Sequence, residues 1–150
     1  MLCWFETFMK KLILFLLALG IVAFYGCAMS TKLAEGEKLP KITDNDYSTV
    51  YMSRESKAYG FSIAYPIQFN GVYLFRIGSG DCVTFKIPTG QSEIVFIQRV
   101  KAVKFLAENG KKYYFHVWVD AAGSDFRQLT EEEWNEKQKA CDWVELKEKK

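Results

Sequence analysis

The chain has 150 residues, with 20 Lys and Arg against 18 Asp and Glu, and its net charge of +2 does not make the basic surface that nucleic-acid binding requires. Aromatic residues make up 16 % and Pro occurs three times, so the chain folds instead of remaining a disordered tether. The length allows one domain with a modest core, and a single His, His116, leaves no cluster of metal ligands or cofactor site to be expected.

In chain order, the first element is an export signal. Lys10 and Lys11 precede "LILFLLALGIVAFYG", an apolar core of about 14 residues, which is signal-peptide length and short of the roughly 20 that span a bilayer. The alternative is an uncleaved N-terminal membrane helix. Gly26 followed by Cys27 resembles the lipobox of bacterial lipoproteins. By that resemblance residues 1–26 are a signal peptide and Cys27 is the cleaved, lipidated first residue, carrying fatty acyl chains of the palmitate class. Phe24 and Tyr25 depart from the usual lipobox residues, and Met9, which opens the compact "MKKLILFLLALG", is the expected initiator. Ala28 after the cysteine is not the Asp that marks inner-membrane retention, so the resemblance implies the outer membrane, facing the periplasm. Two or three acyl chains give stable anchoring at about 0.8 kcal/mol per buried methylene.

Residues 27–46, polar and without period, read as a tether. The domain is expected over residues 47–146, with 147–150 as a solvated tail. "FSIAYPIQF" alternates as a strand over 61–69, and Pro66 places it at an edge or at a bulge. Asn70-Gly71 forms a type I′ turn into "VYLFRI". After the turn "GSGD", "CVTFKI" points Val83, Phe85 and Ile87 inward, and Pro88–Gly90 closes it. "EIVFI" suits a strand buried on both faces. "KAVKFLA" and "KKYYFHVWV" flank the turn Glu108–Gly110 as a hairpin. Finally "TEEEWNEKQKACDWV" starts a helix with Thr130 as N-cap, Glu133 completing a capping box, and Trp134, Cys141 and Val144 on one stripe. The fold class expected is mainly β: a single antiparallel β-sandwich of about seven short strands with one C-terminal α-helix.

The lipobox, the tether, "STVYMSRES", the Asn-Gly hairpin, "DCVTFKIPTGQSEI" and "LAENGKKYYFHVWV" in this order resemble the DUF2846 family of bacterial envelope lipoproteins, over Ser48 to about Val144. The resemblance implies a small sandwich and carries no assigned biochemistry.

For chemistry the candidates are few. Cys82 and Cys141 are the pair left in a mature chain, either as a disulfide, favoured in an oxidising periplasm, or as two buried thiols. Tyr114, His116 and Trp118 alternate along one strand face, either as an exposed aromatic stripe able to stack on a sugar or peptide, or as a face covered by the helix through Trp134. The covered face is the expectation. Asp120 and Asp125 in "DAAGSD" are the only paired acids considered for carboxylate catalysis, and they read more simply as a turn. No catalytic residue is assigned. The function expected is a lipid-anchored envelope module, held at the membrane by acylated Cys27, that binds or assembles with an envelope protein or glycan and not with nucleic acid. The competing reading is a carboxylate-dependent enzyme acting on envelope glycan.

Overall fold

The computed structural model describes residues 29–33, 38–42, 45–57, 60–99 and 101–146. The expected signal peptide, Met9, Cys27 and the tail at 147–150 lie outside the described residues. Strands run in the order β1 (Lys32–Leu33), β2 (Tyr47–Arg54), β3 (Tyr65–Phe69), β4 (Val72–Ile77), β5 (Asp81–Pro88), β6 (Gly90–Phe96), β7 (Lys101–Ala107), β8 (Lys112–Asp120) and β9 (Gly123–Leu129). The helix α1 (Glu131–Lys137) and strand β10 (Asp142–Trp143) follow. The protein is mainly β, and the strands form two sheets in a sandwich. Sheet A has the order β1-β4-β3-β6-β7 and sheet B the order β10-β5-β2-β8-β9.

Period-two alternation builds the core. Val83, Phe85 and Ile87 on β5, Ile94 and Phe96 on β6, and Phe115 and Val117 on β8 all point between the sheets and are buried. Rings cross the gap: Phe75 of sheet A meets Phe85 of sheet B edge-on at 5.5 Å, and Phe105 reaches Phe115 at 5.4 Å. Asn70 (φ 48°) and Gly71 (φ 80°) hold the positive angles of the β3–β4 turn, where most other side chains would be strained.

The structure corrects several details. The strand expected from Phe61 begins at Tyr65, and Gly60–Ser62 form a turn instead. Of the edge or bulge expected at Pro66, the structure has the bulge and not the edge, because β3 lies between β4 and β6. Pro66 is tolerated one residue short of the β6 ladder, which begins at Ile67, and a register shift follows between Ile67 and Gln68. β6 is not buried on both faces: Glu93 and Val95 face outward and are half-buried. The turn at Glu108–Gly110 does not make a hairpin, since β7 pairs in sheet A and β8 in sheet B. That crossing brings β8 beside β2 running parallel to it, so the sandwich is not wholly antiparallel.

The helix starts as expected, with Thr130 and Glu133 in a reciprocal capping box and three acids in its first turn. It ends at Lys137. A 3-10 turn follows, and Cys141 leads an extended segment that pairs in parallel with β5, so Cys141 and Val144 are not on a helical stripe. Within the segment expected as a tether, Lys32–Leu33 pair with Arg76 and Phe75 and extend sheet A.

Candidate functional site

The outward positions of β2 and β8 define the face that α1 crosses. Trp134 is buried there, stacked at 5.6 Å on Tyr114 and tilted at 5.8 Å from Tyr51, while Trp143 of β10 meets both Tyr51 and Trp134 edge-on. The Tyr114 hydroxyl donates to Glu131 at 3.0 Å, and burial first, then that carboxylate, pushes the phenol up to about 12. The stripe Tyr114, His116 and Trp118 is therefore not an exposed platform: the first two are buried and Trp118 is half-buried. The physical reason is the capped helix, whose apolar face must be covered.

Beside Trp134 lies Cys82, fully buried and joined to Cys141 by a disulfide with the Cα atoms 5.4 Å apart. The bond ties the segment after α1 to the first residues of β5. Backbone bonds reinforce it, from Asp142 N–H to the Gly80 carbonyl and from Val144 N–H to the Cys82 carbonyl, both 2.9 Å.

Two residues further along β8, His116 sits at 4 % exposure with Nδ1 2.8 Å from the Ser53 hydroxyl, and its Nε2 has no hydrogen-bond partner. Burial, then the neighbouring Lys137 charge, pushes the imidazole down to about 4, so it is neutral at physiological pH. A Ser–His pair at this distance is the skeleton of nucleophilic catalysis. Here two facts stand against that role. The Ser53 side chain is sealed at 1 % exposure, out of reach of a substrate, and a base needs a pKa near the working pH. The cleft that the pair lines with Glu55, Glu136, Lys137 and Cys141 measures about 250 Å³, below the usual range for a small-molecule site, and a second one, where His116 meets Trp118, Asp120 and Arg127, measures about 310 Å³, at the bottom of that range. Sequence reading missed this pair because the residues are 63 positions apart and on different strands.

The two loop carboxylates are engaged separately. Asp120 Oδ1 accepts from the N–H groups of Ala122 (2.9 Å) and Gly123 (3.0 Å), and Oδ2 accepts from Trp118 Nε1 (3.1 Å), which lowers its pKa. Asp125 pairs with Lys101 of β7, which lowers its pKa in turn. Neither has the raised pKa of a general acid.

No family model, curated protein or solved structure matches the chain. Among the described residues no group of three or more His, Cys, Asp or Glu could hold a metal ion, and no helix is long and apolar enough to cross a membrane.

A second polar centre lies at the end of the sandwich where β2 and β4 finish and β5 begins. Arg54 is buried at 2 % exposure, and its guanidinium donates to the carbonyls of Ile63, Ile77 (3.2 Å) and Gly60 (2.7 Å) while stacking 4.4 Å over Tyr65. Nearby, Asp81 Oδ2 accepts from the Thr31 backbone N–H (2.7 Å) and hydroxyl (2.6 Å), and that hydroxyl in turn accepts from Gly78 N–H at 2.9 Å. A Cβ on Gly78 would fall on the Met29 carbonyl and the Asp81 carboxylate, so glycine is required for this close approach. The turn "GSGD" was legible in the sequence; its partner Thr31 was not, because a two-residue strand has no period to read.

Proposed function

We propose that the chain is an exported envelope lipoprotein, anchored by acylated Cys27 at the outer membrane and facing the periplasm, whose β-sandwich binds or assembles with another envelope protein or a glycan and does no chemistry of its own. Kinship with the DUF2846 family is part of this proposal. The observation that carries it is the Cys82–Cys141 bond. Disulfides persist in oxidising compartments and are rare in a reducing cytosol, which agrees with the export pattern of Lys10 to Gly26. Binding is favoured over catalysis because Ser53 is sealed beside His116, while Asp120 and Asp125 are committed to a turn and an ion pair.

Intact mass of the membrane-extracted protein, beside a Cys27→Ser variant, tests the proposal. A mature chain starting at Cys27 with acyl mass, lost in the variant, is the expected result. An unmodified chain that keeps the residues before Cys27 overturns it.

A further inference from the structure

The anchor and the fold are closer together than a tethered domain requires. Thr31 is fixed to Asp81 and is only four positions beyond Cys27, a distance of at most about 14 Å even when fully extended. The polar interface of a bilayer is itself about 5 to 8 Å deep on each side. An acyl chain on Cys27 therefore leaves no room for the domain to stand off, and it fixes which end of the sandwich faces the lipid. That end holds Gly78–Asp81, with the far end about 26 Å away along the eight residues of β5.

The same end presents apolar side chains to solvent. Met29 is 48 % exposed, Phe61 39 % and Ile63 50 %. The turn bearing the last two is not loose. Arg54 grips it from inside through the Gly60 and Ile63 carbonyls, and through the Ile77 carbonyl ties it to the strand that leads into Gly78. A buried cation thus holds a turn in place while its two apolar side chains project outward. Lys32, exposed one residue beyond Thr31, suits an anionic headgroup, with Asp142 near Gly80 an opposing charge.

We propose that this end, through Met29, Phe61 and Ile63, rests in the interface of the bilayer that holds the acyl anchor, so that the opposite end, with the Asn70-Gly71 turn, is presented to partners. The inference rests on acylation of Cys27. Lys32 and Leu33, paired with β4 in sheet A, are then part of the fold and not a spacer between lipid and domain.

The test uses the full chain, extracted as the lipoprotein and reconstituted in vesicles of phosphatidylethanolamine and phosphatidylglycerol that carry a nitroxide on the acyl chain near the headgroup. An environment-sensitive fluorophore is placed at Ile63→Cys, at Phe61→Cys, or at Val72→Cys, which is equally exposed but at the far end of β4. Cys82 and Cys141 are bonded and Cys27 is acylated, so the new thiol alone reacts. Quenching at least threefold stronger at positions 61 and 63 than at 72 is expected. Acyl mass present with equal, weak quenching at all three positions overturns the orientation and leaves the lipoprotein reading standing. Absence of acyl mass overturns both.

Discussion

On sheet B the outward side chains Cys82, Tyr114 and His116 lie beneath α1 and the segment after it, whereas on sheet A the outward Gln91, Ala102 and Lys104 stay exposed. Both sheets contribute the same kind of inward face, rich in Phe, Ile and Val, to one shared core. What separates them is a second, smaller layer on sheet B, where Cys82, Tyr114, Leu129 and Trp134 are packed by Tyr51 and Cys141. A covered face can hold a neutral buried histidine and a crosslink; a bare face keeps the alternation of an ordinary half-solvated sheet, with Glu93 and Lys104 paired at 3.5 Å. Stability contributions should therefore be concentrated on one side of the sandwich.

The largest break of that asymmetry is loss of the crosslink. Replacing Cys82 and Cys141 together by Ser opens a loop whose ends are 59 residues apart, and unfolding by urea should show a loss of about 4 kcal/mol relative to the oxidised protein. A loss under 1 kcal/mol would mean that the layer over sheet B holds without it.

Next comes pH. His116 is depressed to about 4 in the folded protein against an ordinary 6.5, so the unfolded chain binds the extra proton between those values. Its contribution is fully present above pH 6.5 and is lost as pH falls toward 4, by about 3 kcal/mol in total. It is the chain's one histidine, and Asp120, Asp125 and Glu133, also depressed, act below their ordinary range near 4. A His116→Phe variant should flatten the slope of urea midpoint against pH in that window. An unchanged slope would remove His116 from its cause.

A smaller effect is expected at the start of α1. Thr130→Ala removes the side-chain acceptor for the Glu133 N–H and should cost about 1 kcal/mol by the same urea titration. Least of all is expected on the bare face, where Lys104→Ala removes one exposed ion pair and should shift stability by no more than about 0.5 kcal/mol. A larger shift there would contradict the asymmetry between the two sheets.

Local chemistry made much of this legible in advance. The alternation of Val83, Phe85 and Ile87, the Asn70-Gly71 turn and the Thr130–Glu133 box are each decided within a few residues, and each is present. What stayed hidden is decided at long range. The turn chemistry of Glu108–Gly110 serves equally to return a strand in its own sheet or to cross to the other, and here it crosses. Strand β9 escaped notice because Phe126 is its only large apolar residue between Gly123 and Gln128. The partners Ser53 and His116, or Thr31 and Asp81, are 63 and 50 residues apart and have no local signal at all. Arg54 is the instructive case: an arginine closing an alternating strand reads as the start of a loop, yet its buried guanidinium organises three backbone carbonyls.

Thiol trapping in the producing cells tests the sealed face and the export reading together. Cells are quenched in acid, proteins are unfolded without reductant, and free thiols are tagged with a large maleimide. The mature chain should take up no tag unless reductant is added first, because Cys82 and Cys141 are bonded and the proposed function places an acyl chain on Cys27. Two tags per mature chain without reductant would mean that the domain resides where thiols stay reduced, and the exported, crosslinked sandwich would be contradicted.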